Sequence, residues 1–227
     1  RELLAAIRDN GKIIPLFRFL ITSRPAFPID SFFQSIPQFH KCLHLGPYVE
    51  AENDIRKYLR NGFSKIRTKH SDVLTSSQSA HWPSDHDINR LVARSSGHFI
   101  YALTILKFID SDEDHPKNSL NFILGHKPLR PSRQSAYADL DDLYLAILHH
   151  VVVYDPANLL CPLAVISPNL NDCGIAAVLD IPLEEVQLML CGLRSVIDQR
   201  PSGSGDFDLV ELDLLHASLQ DFLEDSS

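Results

Sequence analysis

The sequence predicts a mainly α-helical protein. It opens on a remnant of a parallel α/β sheet, continues through a helical segment and ends in a winged-helix-like module. Three observations predict this. The run Leu16-Phe-Arg-Phe-Leu-Ile21 is bulky and almost continuously apolar, the character of a strand buried on both faces. Residues 55–66 and 140–151 each repeat apolar side chains at helical spacing. Near the C-terminus, three short helical patterns precede two β-capable segments joined by a Gly/Ser-rich turn. The expected organisation is residues 1–50, 51–138 and 139–227.

Taken in order, Leu3, Leu4 and Ile7 suggest a short amphipathic helix broken near Asn10-Gly11. The strand from Leu16 ends at Thr22-Ser-Arg-Pro25, and Pro25 and Pro28 forbid its continuation. A second short strand is expected over 41–45. Ile55, Tyr58, Leu59, Gly62, Phe63 and Ile66 then share one face of a helix of about four turns, followed by a loop over 68–80. Ser84 with Asp87 resembles a capping box ahead of Ile88, Leu91 and Val92, with Gly97 as the stop. Phe99 to Ile109 is apolar all round, hence a central buried helix. Asp110-Ser-Asp-Glu-Asp114 reads as a solvated loop, and Leu120, Ile123 and Leu124 as a short helix ending at Gly125.

Residues 126–138 carry Pro128 and Pro131 and read as a linker. Leu140, Leu143, Tyr144, Ile147, Leu148 and Val151 form the next helical face, with His149-His150 expected to cap its end. Helices are expected over 156–166, over 172–179 and from Pro182 onward. A hairpin follows, from 195–199 and 207–211, and a last helix over 214–223.

The chain has 227 residues, 44% hydrophobic and 22% charged, which excludes wholesale disorder. Its formal net charge of -8 disfavours phosphate backbones and anionic lipid, so neither a nucleic-acid nor a membrane partner is expected. No apolar run approaches the ~20 residues of a bilayer span. Four scattered cysteines, Cys42, Cys161, Cys173 and Cys191, read as buried, reduced thiols, so a cytoplasmic location is expected. The chain opens at Arg1 and its single methionine is Met189, the expected mark of a piece of something longer.

Several chemistries are tested by spacing. A phosphate-cradling P-loop needs G-x-x-x-x-G-K-[ST], whereas the Gly11-Lys12 pair has Ala6 in place of the first glycine and Ile13 after it. No catalytic residue is assigned, and the chain alone is not expected to be an enzyme. His40, Cys42 and His44 alternate on one strand face, but three neighbouring strand positions seldom converge on a tetrahedral ion, and no metal is expected. DNA binding by the C-terminal module would require cations on its third helix, which instead begins Leu183-Glu-Glu185. Arg24 stands just beyond the carboxyl end of the expected strand, where α/β sheets bind ligands, and a guanidinium can hold phosphate oxygens.

In order along the chain stand Phe19-Leu-Ile-Thr-Ser-Arg-Pro25, Asp54-Ile-Arg-Lys-Tyr-Leu59, and Trp82-Pro83 with Asp87-Ile88 and Leu91-Val92. Then come Ser95-Ser-Gly-His-Phe-Ile-Tyr-Ala102, Leu140-Asp-Asp-Leu-Tyr144 and Leu215-His-Ala-Ser-Leu-Gln-Asp-Phe-Leu223. Together they resemble the C-terminal part of a NACHT-type STAND nucleotide-binding module, particularly the large fungal group. The resemblance implies a P-loop α/β core, a small helical domain and a winged-helix domain that folds back on bound ADP. Residues 1–50 would be the end of that core, truncated after Walker A and Walker B, and ATP/ADP with Mg would be the cofactors of the parent protein. By resemblance Arg24 looks like the arginine that reads the terminal phosphate, and His216 like the winged-helix histidine that touches the β-phosphate of ADP. The segment around Gly97 resembles the family's adenine-side Gly-x-Pro region, with Phe99 in place of the proline. The implied partners are the chain's own missing P-loop core, protein partners and a homo-oligomer of the parent. The alternative reading is a helical protein-protein adaptor without nucleotide.

Overall fold

Helices form wherever the apolar spacing and a capping residue agree. In the computed structural model the described residues are 20–23, 27–35, 41–42, 49–74, 82–111, 114–125, 138–154, 171–201 and 210–225. The chain divides into two compact units, Arg1–Gly46 and Pro47–Ser227. Among the described residues the protein is mainly helical, with one two-stranded sheet.

In the first unit the described regular element is helix α1 (Phe27–Gln34). It was not anticipated, because Pro25 and Pro28 read as breakers. Pro28 is its second residue, where a missing N–H costs nothing. The buried strand expected to end at Ile21 is corrected at its described residues: Leu20 and Ile21 lie in no strand, and Leu20 is 94% exposed. A strand buried on both faces needs paired neighbours, and the described residues of this unit contain none. Lys41 and Cys42 are likewise exposed and outside any strand, so Cys42 is not the buried thiol expected. His40, His44, Cys161 and residues 1–19 lie outside the described residues.

The second unit begins with a helical assembly: α2 (Val49–Lys69), α3 (Asp85–Ser95), α4 (Phe99–Ile109), α5 (Pro116–Gly125) and α6 (Ala138–Tyr154). The predicted face of α2 buries Ile55, Leu59, Phe63 and Ile66, with Tyr58 at its rim. Gly62 lies on that face because α4 approaches so closely. A Cβ there would collide with the Leu106 side chain. Helix α2 continues into the segment expected to be a loop, and Lys69 is its last residue.

The Ser84–Asp87 capping box is present. Ser84 Oγ accepts from Asp87 N–H (3.2 Å), and the Asp87 carboxylate accepts from Ser84 N–H (3.1 Å). Helix α3 ends through two left-handed residues, Ser96 (φ 47°) and Gly97 (φ 80°), the second a natural place for glycine. Helix α4 buries residues around nearly its whole circumference, including Tyr101, Thr104, Ile105 and Phe108. From α3, Arg90 and Arg94 donate to the Leu124 and Ile123 carbonyls (2.8 Å each), satisfying acceptors in the last turn of α5.

Two expectations are corrected here. Asp110 is an anchor rather than part of a solvated loop: its carboxylate lies 3.2 Å from Lys69 Nζ and 3.1 Å from His70 Nε2. His150 does not cap α6, which extends to Tyr154. Its ring packs against Phe122 (centroids 4.7 Å) and Phe108 (5.3 Å, edge-on), and that burial lowers its pKa, with Asp114 opposing.

The C-terminal part contains α7 (Asp172–Leu179), α8 (Leu183–Cys191), strands β1 (Ile197–Pro201) and β2 (Val210–Leu214), and α9 (Ala217–Asp225). The helix expected over 156–166 lies outside the described residues. Asn171 caps α7 by accepting from Gly174 N–H at 2.7 Å. The antiparallel hairpin pairs Ile197 with Leu214 and Gln199 with Leu212, so each strand lies a few residues later than expected. Ser195 and Val196 are taken up by turns prolonging α8, with Val196 N–H donating to the Leu193 carbonyl at 2.8 Å. Ile197, Leu212 and Leu214 face the core. Asp198 and Asp213 oppose each other on the outer face, where Arg200 bridges them at 3.3 and 2.9 Å. A continuous core runs from Ile55 and Leu59 through Tyr144 and Ile147 to Val186, Leu193 and Leu219.

Candidate functional site

His216 is the residue before α9, in the N-cap position, and its ring is exposed. Nδ1 accepts from the Ser218 backbone N–H at 3.1 Å, satisfying one of the donors left unpaired at a helix start. Ser218 Oγ lies 2.8 Å from the same nitrogen. Ser218 itself is buried, and its hydroxyl meets Tyr144 Oη from α6 at 2.8 Å. Burial raises the Tyr144 pKa. Phe222, one turn further along α9, holds the Tyr144 ring at 5.7 Å. The Leu140–Tyr144 and Leu215–Leu223 segments, 74 residues apart at Tyr144 and Ser218, therefore meet through a hydrogen bond.

The Gly97–Phe99 corner is a second surface feature. Gly97 completes the left-handed turn after α3, and Phe99 opens α4 with its ring 46% exposed. Tyr58 from α2 stands beside it, ring centroids 6.0 Å apart at 67°. The pair forms an exposed aromatic corner at a helix N-terminus whose N-cap, His98, makes no side-chain capping bond. Arg24 lies outside the described residues.

Sequence reasoning missed two polar clusters. Tyr101, Arg94, Asp139 and Asp142 line a cavity of about 20 Å³ between α3, α4 and α6, room for roughly one water. Burial pushes the Tyr101 phenol far above its ordinary pKa, and the Asp139 and Asp142 charges add to the rise. The Arg94 guanidinium, hydrogen-bonded to the phenol, pulls the other way. Ser96 Oγ donates to Asp139 at 3.1 Å, tying the turn after α3 to the start of α6.

The second cluster centres on Asp172, which is fully buried. Its Oδ1 accepts from Cys173 N–H (2.9 Å) and Val210 N–H (3.1 Å), and its Oδ2 from Gln187 Nε2 (3.2 Å). One carboxylate thus joins α7, α8 and β2. The signal in the sequence is the Asn171-Asp172 pair, two acceptors at a helix start where one suffices for capping.

The first turn of α8 exposes Glu184 and Glu185, a charge that repels a phosphate backbone. Among the described residues no helix is long and apolar enough to cross a membrane. Compared with protein-family models, curated proteins and solved structures, the chain matches none.

Proposed function

We propose that this chain is the regulatory part of a NACHT-type STAND signalling NTPase, closing over ADP bound by a P-loop core and controlling oligomeric assembly. In this reading residues 1–50 end the nucleotide-binding core, and the α7–α8–β1–β2–α9 order belongs to a winged-helix lid. The chain supplies no catalysis. It supplies contacts that differ between the ADP- and ATP-bound states, the requirement for any ligand-driven switch.

One observation carries the proposal. An exposed histidine stands at the N-terminus of α9 with Nδ1 occupied by its own helix, so a neutral ring bears its proton on Nε2. A helix N-terminus also favours anions. Arg24 would read the terminal phosphate from the core side. The exposed Tyr58–Phe99 corner would offer a stacking surface on the adenine side, where the family's proline is replaced.

A hydrogen bond from His216 to a phosphate oxygen contributes about 1.5–3 kcal/mol, roughly a 10- to 150-fold bias. The test uses the parent protein, in which this reading requires a P-loop core ahead of the chain. His216→Ala is expected to release ADP more readily by that factor and to raise the oligomer fraction in size-exclusion chromatography with light scattering. Unchanged ADP retention and assembly would refute the proposal. The adaptor reading is favoured by Leu188 and Val178, 73% and 69% exposed on α8 and α7. It gains if no P-loop precedes the chain in the parent.

A further inference from the structure

The hydrogen bonds at His216 dictate their own polarity. A backbone N–H can only donate, so the Ser218 N–H makes Nδ1 an acceptor. Ser218 Oγ, 2.8 Å from that nitrogen, is then a second donor that shares the single Nδ1 lone pair with the backbone N–H. With its hydrogen committed, Ser218 Oγ accepts from Tyr144 Oη at 2.8 Å. The direction is therefore Tyr144 to Ser218 to His216. Both relay residues are buried, Tyr144 at 2% and Ser218 at 7% exposure, so water competes little for these bonds.

We infer that Tyr144 and Ser218 are positioning residues that hold His216 as an Nε2–H donor, so that the group it recognises is a hydrogen-bond acceptor. A neutral imidazole has two tautomers, and only one presents a donor at Nε2. The other would place N–H against N–H at Ser218, leave a first-turn donor of α9 unsatisfied, and turn a lone pair toward that acceptor. The relay removes that alternative before any ligand arrives, reducing what must be ordered on binding. Identifying the acceptor as the β-phosphate of a nucleoside diphosphate rests on the proposed function. The tautomer rests on the hydrogen bonds alone.

The experiment is two-bond ¹H–¹⁵N correlation spectroscopy of the ¹⁵N-labelled 227-residue chain, above the pH at which the ring is neutral. The expected pattern is a pyridine-type Nδ1 and a pyrrole-type Nε2 at His216. Ser218→Ala should move Nδ1 downfield by several ppm, Tyr144→Phe should move it the same way by less, and Ser218→Thr should restore it. The Tyr144→Phe and Ser218→Thr spectra decide the matter if Ser218→Ala does not fold. A wild-type proton on Nδ1 overturns the inference, as does an Nδ1 resonance indifferent to Tyr144→Phe in a folded variant. In the parent, Tyr144→Phe should weaken ADP retention by less than His216→Ala does. Intact ADP retention in His216→Ala overturns the functional reading and leaves the tautomer standing.

Discussion

Replacing Asp172 by alanine should loosen the hairpin from the helices it packs on. The carboxylate is fully buried and receives three N–H donors, two of them backbone groups on α7 and β2. Without it the Gln187 amide can turn to solvent, because that residue is exposed. The Cys173 and Val210 N–H groups are fixed by the backbone and can be satisfied only if water reaches them. Each stranded donor costs about 1–3 kcal/mol, partly offset because a buried charge also disappears. A net loss of about 3 kcal/mol is expected, or roughly 150-fold in an opening equilibrium. Asp172→Asn should cost far less. Its Oδ1 still serves both backbone donors, and Gln187 can rotate its amide to accept from the new Nδ2. The assay is hydrogen exchange at the Val210 amide with a urea melt of each variant. Unchanged Val210 protection in Asp172→Ala, or an asparagine as damaging as the alanine, would refute this account of how the hairpin is held.

Gly62→Ala should destabilise by about 1 kcal/mol, since overpacking of 1–3 kcal/mol is partly offset by alanine's helix propensity. In a double-mutant cycle Leu106→Ala should relieve that cost, because Leu106 is the side chain met by the new Cβ. Ser84→Ala should cost about 1 kcal/mol through loss of the capping box, read from urea midpoints. His150 should make stability depend on pH. Its folded-state pKa is lowered, so the unfolded chain binds a proton the native state refuses, and stability falls as pH drops through about 6.5 toward the folded value. Urea melts of wild type and His150→Phe between about pH 7.5 and pH 5.5 should show a smaller loss in the variant. Parallel curves would dismiss the assignment.

Local signals were legible in the sequence where they coincided. The α4 and α7 boundaries, the capping box and the buried faces of α2 and α6 all follow from apolar spacing plus one cap or stop. What failed were inferences needing knowledge of neighbours. Leu20 and Ile21 have strand chemistry yet are exposed, because apolar character alone cannot supply a paired strand. The β1 start was misplaced because Ser195 and Val196, β-capable by type, are consumed by the turn after α8. His150 looked like a helix end until the helix proved longer, and then its partners were Phe108 and Phe122 from other elements. At the candidate site His216 was visible as a motif residue. The Tyr144 and Ser218 hydroxyls, which decide its tautomer, could be joined only in three dimensions.

The same contacts restrict where a lid could move. Separating α9 from α6 would break the Tyr144–Ser218 hydrogen bond and expose Leu219, 4% accessible, with the Tyr144 ring that Phe222 holds. Uncovering those two large side chains costs about 3–6 kcal/mol before the hydroxyls are counted. That matches or exceeds the 1.5–3 kcal/mol one His216–phosphate bond could provide. The His216 bond alone therefore leaves no surplus to prise α9 off α6, and the proposed latch is expected to carry α6 with it, moving at some other boundary. Amide exchange at Leu219, whose N–H donates to the His216 carbonyl at 3.0 Å, should then be the same in the ADP-bound and ADP-free parent. A ligand-dependent change at Leu219 would place the hinge at the α6–α9 contact and overturn this reasoning.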